Sequence, residues 1–226
     1  MPNVLTTDSV TANHAEGIGQ IYGGGDRSQI IWTKEDFAKF YATAPIHIAD
    51  FVKGTELFGF RRGDLVEAPL DADKGHTFEF VTGKSRRGGR KGVRKVIMPI
   101  LPEAREFLEE LKTRPRKENV TSLFVNSKGT SWTADGLTSV FIPERDAAGI
   151  VDEEGGAKHF HDIRGTFATR LMEAGLDDKE IASLMGWSEK KTERIRRAYV
   201  DQRVTVMAIG KRLSDAAVKR AVKSEE

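Results

Sequence analysis

Helix stop signals recur along this chain and restrict its fold more than any other feature. Pro45, Gly59, Gly149, Gly175 and Gly186 each close a segment that reads as a helix. Proline cannot continue a helix, and glycine accepts the left-handed backbone that ends one. The expected helices run over 33–44, about 46–58, about 62–66, 102 to about 112, 133–148, 161–174, 177–185, 189–201 and 204 to about 222. Thr33 and Asp36 cap the first, and Pro102 opens the fourth with Ala104, Phe107, Leu108 and Leu111 on one face. Asp177 and Glu180 form a capping box, and Leu176 staples to Ile181. Three segments read as strands, over 77–82, 95–99 and 123–125, the first two joined by a Gly- and Arg-rich turn over 83–94. The expected fold class is mainly α with a small antiparallel β-hairpin (α+β).

The 226 residues are 38% hydrophobic, enough for a proper core. Residues 1–31 are polar, end near Gly23-Gly24-Gly25, and read as a flexible leader or linker before a single domain over 32–226. There is no cysteine, which excludes a disulfide framework, thiol catalysis and cysteine-ligated metal. No apolar run approaches the ~20 residues that span a bilayer. The first fifteen residues lack a signal-peptide pattern, so a cytoplasmic location is expected.

Net charge is only +2, but its distribution is uneven. Lys84, Arg86, Arg87, Arg90, Lys91, Arg94 and Lys95 crowd one turn with no acidic residue among them. The segment from Glu189 onward carries eleven basic and six acidic residues, whereas the first sixty residues carry four basic and seven acidic. Such clustering suits a phosphate-binding face, although a solvated loop would explain the run over 84–95 equally. The five histidines, His14, His47, His76, His159 and His161, show no metal-ligand spacing, and the full phosphate-cradling motif Gly-x-x-x-x-Gly-Lys-Ser/Thr does not occur. No cofactor is expected.

His161 and Arg164 lie three apart on a predicted helix and so share a side, at the edge of an apolar stripe of Ile163, Phe167 and Leu171. Alone, such a pair reads equally as surface decoration or as a satisfied core histidine. The surrounding string is more telling. It runs His161-Asp-Ile-Arg164-Gly-Thr-Phe-Ala-Thr-Arg-Leu-Met-Glu-Ala-Gly175, then Ile181-Ala-Ser-Leu-Met-Gly-Trp187-Ser. Upstream stands Gly59-Phe60-Arg61-Arg62-Gly63-Asp64, and downstream Arg196-Arg197-Ala198-Tyr199.

Over about 33–213 the chain resembles the catalytic domain of tyrosine recombinases, the phage-integrase family. The resemblance implies an enzyme that cuts and rejoins DNA through a 3′-phosphotyrosyl bond without metal or ATP. It assigns Arg61 and Arg164 as phosphate clamps, with Arg62 competing for the first place. His161 becomes the base, Lys84 on the hairpin the general acid, Trp187 a phosphate-side donor and wall, and Tyr199 the nucleophile. The residue types fit. Guanidinium forks match phosphate oxygens, and a phenol of pKa near 10 needs a partner to take its proton. Arg86, Arg87, Arg90, Lys91, Arg94, Lys95, Arg196 and Arg197 are the expected DNA contacts. Gly165 stands where many relatives carry histidine, and Trp187 and Tyr199 are further apart than is common. A homotetramer on DNA is implied, with an apolar stripe of Val206, Ile209, Leu213 and Ala216 docking on a neighbour. The resemblance also implies double-stranded DNA as partner and a nucleoid association when DNA is bound. Only about thirty residues precede the first expected helix, so the separate DNA-clamping domain that relatives carry in front is expected to be missing here, the chain being either a fragment or a naturally short relative. Two alternatives remain: a non-catalytic helix-turn-helix protein built on 161–174 and 177–185, and a DNA-relaxing enzyme of the type IB topoisomerase kind.

Overall fold

The computed structural model describes residues 27, 30–83, 93–199, 206, 207, 209, 210 and 212–214. Among them, besides a short 3-10 helix over Leu70–Ala72, the helical residues of 206–214 and one hairpin packed by a single face, are eight α-helices. They are α1 (Lys34–Thr43), α2 (Ile46–Phe58), α3 (Arg62–Glu67), α4 (Pro102–Lys112), α5 (Ala134–Ala147), α6 (Asp162–Glu173), α7 (Asp178–Met185) and α8 (Glu189–Tyr199). Strands β1 (Thr77–Gly83) and β2 (Val93–Pro99) pair antiparallel, from Thr77 opposite Pro99 to Gly83 opposite Val93. The expected fold class is the one observed.

Local chemistry sets the element ends. Thr33 and Asp36 cap each other at the start of α1: the Asp36 N–H donates to Thr33 Oγ1 at 3.2 Å, and the Thr33 N–H to Asp36 Oδ2 at 2.7 Å. Asp177 and Glu180 do the same for α7, both at 2.8 Å. Gly59 ends α2 at φ 62°, where any side chain would be strained. A Cβ there would also lie 2.3 Å from the Phe167 ring, so this glycine lets α2 and α6 approach closely.

The hairpin obeys the two-residue alternation of a half-buried sheet. Phe78, Phe80, Val96 and Met98 face the core, while Val81 and Ile97 are exposed. Phe58, Phe60, Phe78 and Phe80 form a continuous aromatic run, with neighbouring ring centroids 5.0 Å (Phe58–Phe60), 5.3 Å (Phe60–Phe78) and 5.6 Å (Phe78–Phe80) apart. Such contacts add ~0.5–1.5 kcal/mol each beyond burial. Anchoring Phe60 in this way fixes Arg61, the next residue, at the mouth of α3.

A large aromatic core holds α1–α5 and the hairpin. A smaller one, of Ala168, Met172, Ile181, Met185 and Ile195, joins α6, α7 and α8. Phe167 packs against both.

One expected element is corrected. Residues 123–125 form no strand, only single bridges at Pro69–Ser122 and Val125–Ser131. Leu123, Phe124 and Val125 are all buried, without the in–out alternation of an edge strand. The Pro69–Ser122 bridge is flanked by Leu70 N–H to the Thr121 carbonyl and Leu123 N–H to the Ala68 carbonyl, both at 2.8 Å, and it extends no further because the partner segment lies between α3 and a 3-10 turn over Leu70–Ala72. The turn over 84–92 lies outside the described residues. Of the expected last helix, residues 206, 207, 209, 210 and 212–214 are described and helical, and Val206, Ile209 and Leu213 are exposed there; Ala216 lies outside. No described helix is long and apolar enough to cross a membrane.

Candidate active site

The first turn of α6 is held from both sides. Buried Asp162 accepts the His159 N–H at 2.6 Å and pairs with Arg27, whose Nη2 lies 2.6 Å from Oδ2 and Nε 3.2 Å from Oδ1. Arg27 Nη2 also donates to the Ala157 carbonyl at 3.0 Å. One turn on, Thr166 Oγ1 accepts the Trp32 N–H at 2.7 Å. Arg27, ahead of the expected domain start at 32, and Trp32 thus grip the helix that His161 caps and Arg164 lies on.

Arg164 is 2% exposed. Its Nη2 donates to the Met185 carbonyl at 2.9 Å, while Nε and Nη1 are buried with no hydrogen-bond partner. Burial first, and the nearby Arg61 second, pull its pKa down to about 9, with Asp64 opposing. A buried guanidinium with two idle donors is costly unless an anion completes it.

Arg61 reaches the same turn from another direction. It caps α3, its N–H donating to Asp64 Oδ2 at 3.2 Å, and its Nη2 donates to the Gly186 carbonyl at 3.0 Å. The carbonyls of Met185 and Gly186 end α7, where backbone acceptors lack helical partners and the helix dipole is negative. Gly186 makes this turn with φ 59°. Burial raises the Asp64 carboxyl, while the Arg61 N–H and the charges of Arg61 and Arg164 pull it back. Arg62, the competing residue, points elsewhere: its Nη1 donates to Thr138 Oγ1 on α5. Of the adjacent pair, Arg61 is the one that shares a turn with Arg164.

Trp187 follows that turn, half-buried, with Arg164 Cζ 5.5 Å from its ring centroid. His161, at the N-cap of α6, lines a cavity of about 550 Å³ together with Arg164, Arg62, Phe141 and Arg145. Loss of water around the ring, then the charges of Arg164, Lys191 and Arg61, push His161 down to about 4 against the opposing pull of Asp162. The imidazole is therefore neutral near pH 7 and able to accept a proton.

The structure thus brings Arg61, His161, Arg164 and Trp187 together. Tyr199 closes α8, one turn beyond buried Ile195; its side chain lies outside the described residues. Lys84, Arg86, Arg87, Arg90 and Lys91 lie outside them too, and Arg94 is described only as β2 backbone. Lys95 is exposed and pairs with Glu79 at 3.1 Å. Arg197 is exposed and pairs with Glu193. Arg196 binds Asp178 Oδ1 at 2.7 Å and the Leu176 carbonyl at 2.6 Å, bracing α8 on α7. Sequence reasoning missed Arg27, which is 135 residues from its partner. It also missed Lys191, because Trp187 stands in the turn before α8 and sequence spacing does not show the ammonium folding back over that ring.

Arg61 and Arg164 meet at the end of α7, Trp187 carries Arg164 and Lys191 on its ring, and His161 shares a cavity with Arg164; cations and a neutral imidazole so grouped can bind a phosphate and move a proton beside it. Comparison with known proteins agrees with that chemistry. The family model described as "Phage integrase family" matches residues 58–204. Tyrosine recombinase XerC of Bacillus subtilis (strain 168) is 30% identical over 114 residues, covering 46% of this chain and 36% of that protein. XerC of Chlamydia caviae is 28% identical over 109 residues, covering 46% of this chain and 34% of that protein. This chain therefore spans only about a third of the length of these relatives. A lambda integrase tetramer bound to a Holliday junction superposes with TM-score 0.58 at 20% identity, covering 76% of this chain and 49% of that one. XerA recombinase gives 0.60 at 16%, covering 81% and 65%. At such identities the structures establish a shared fold.

Proposed function

The chain belongs to the phage integrase family, and on that footing we propose that it is the catalytic domain of a site-specific DNA recombinase working through a 3′-phosphotyrosyl intermediate. The observation that carries this reading is the buried Arg164, with two idle donors beside Arg61. A helix-turn-helix binder without chemistry would leave that burial without a purpose.

In this reading the Tyr199 phenol attacks the scissile phosphorus as the bond to the 5′-oxygen breaks. Arg61 and Arg164 hold the non-bridging oxygens, where negative charge grows; fixed donors of this kind are commonly worth ~3–4 kcal/mol each. Neutral His161 accepts the phenolic proton. Lys84 returns a proton to the 5′-oxygen, and Trp187 walls the site from water. The reverse attack by a 5′-hydroxyl rejoins the strand, so bond energy is kept and no nucleotide is needed. The arginines and Lys84 supply the charge that metal ions provide elsewhere. Basic residues from Arg86 to Lys95, with Arg197, would bind flanking phosphates. By extension from the lambda integrase tetramer on a Holliday junction, four copies would act on two duplexes, the C-terminal apolar stripe docking between them.

The test is a library of nicked duplexes, randomised around the nick so that the cleaved end diffuses away. Wild type should give a band of protein–DNA adduct stable to denaturation, unaffected by EDTA, with a recoverable sequence preference. No adduct across the library would refute the reading.

A further inference from the structure

Trp187 carries two cations on one ring. Lys191 Nζ lies 4.2 Å from the indole centroid and Arg164 Cζ 5.5 Å from it, so the ammonium and the guanidinium are no further apart than those two distances combined. Lys191 sits in the first turn of α8, four residues after Trp187, and is half-buried. The positive end of the helix dipole disfavours a cation there. The charges of Arg61 and Arg164 disfavour it further. Among the described residues no carboxylate lies within ion-pair distance of Nζ, and only the face of the indole attracts it.

An anion in front of these groups reverses that balance. Arg164 Nε and Nη1, buried and unpartnered, mark where donors wait for one. We propose that Lys191 is a third phosphate clamp, its ammonium resting on Trp187 and binding a non-bridging oxygen of the scissile phosphate alongside Arg61 and Arg164. This rests on the DNA-cleaving function proposed above. It also gives Trp187 a further task, to hold a mobile lysine head in one place. Consistent with the geometry, burial and then the charges of Arg164, Arg61 and Arg194 lower the pKa of Lys191, a depression that a bound phosphate would relieve.

The test compares wild type with Lys191→Met, which keeps an apolar stem over the indole, and with Lys191→Arg, which keeps the charge. Duplexes recovered from the trapping library are used at saturating concentration, with either an ordinary 5′-oxygen or a 5′-sulfur at the scissile position. Lys191→Met should form adduct about a hundredfold more slowly, equally on both substrates, with an unchanged melting temperature. Lys191→Arg should stay within about tenfold of wild type, the charge being retained. A sulfur leaving group departs without a proton, so a defect that vanishes on sulfur would make Lys191 a proton donor and overturn the assignment. A wild-type rate for Lys191→Met, or loss of folding in both variants, would overturn it as well. Failure of wild type to form any adduct would instead remove the underlying function.

Discussion

Arg164 and Arg61 donate to consecutive carbonyls, Met185 O at 2.9 Å and Gly186 O at 3.0 Å, although one lies in α6 and the other caps α3. The end of α7 is thus a shared rest for two cations that would otherwise repel each other at close range. Arg164 makes this one bond and leaves two buried donors idle, so its placement serves binding at the expense of stability.

Arg164→Met should therefore abolish adduct formation while leaving the fold as stable as wild type or more so, by up to ~1–2 kcal/mol. Thermal unfolding beside the adduct assay checks this. A loss of more than about 2 kcal/mol would show that the guanidinium is structural.

His161 should titrate far below its ordinary 6.5, near 4, because poor solvation and surrounding cations oppose its charged form. Between those two values the unfolded chain binds a proton that the folded ring refuses. The ring therefore costs no stability above about pH 6.5 and destabilises the fold progressively as pH falls toward 4. The ring is partly exposed, so the effect should be no more than ~1 kcal/mol after solvent screening. Histidine C–H resonances followed by NMR test the midpoint directly. Adding inorganic sulfate, which stays anionic throughout, should move it upward by neutralising the arginines. A midpoint near 6.5 without sulfate would contradict the electrostatic picture.

Arg27→Ala should free the first turn of α6. The pair it breaks joins a side chain 34% exposed to one 3% exposed, so the expected loss is ~1–3 kcal/mol, less than for a fully buried pair. Amide hydrogen exchange should speed up over 162–166 more than in α4. An effect spread evenly over both helices would mean that Arg27 stabilises the domain in general and does not position the site.

Much of this arrangement was legible because its signals are local. Thr33 with Asp36, Asp177 with Glu180, and the glycines at 59 and 186 set helix ends through groups only a few residues away. Alternation of Phe78, Phe80, Val96 and Met98 likewise set which face of the hairpin is buried. Where partners are remote, the sequence is silent. Nothing near Arg27 announces Asp162, and nothing in Arg61-Arg62 says which guanidinium turns toward α7 and which toward Thr138. The run 123–125 is ambiguous in sequence because three consecutive apolar residues suit a strand and a buried connector equally; what decides is that its partner segment turns into a 3-10 helix at Leu70–Ala72, leaving single bridges.

The central claim is that the Tyr199 phenol becomes bonded to the 3′-phosphate of cleaved DNA. The most direct measurement digests the trapped adduct with protease and nuclease and sequences the nucleotide-bearing peptide by mass spectrometry. The account predicts a phosphonucleotide on Tyr199 and no adduct from Tyr199→Phe. A modified residue other than Tyr199, or an undiminished adduct from Tyr199→Phe, would contradict it.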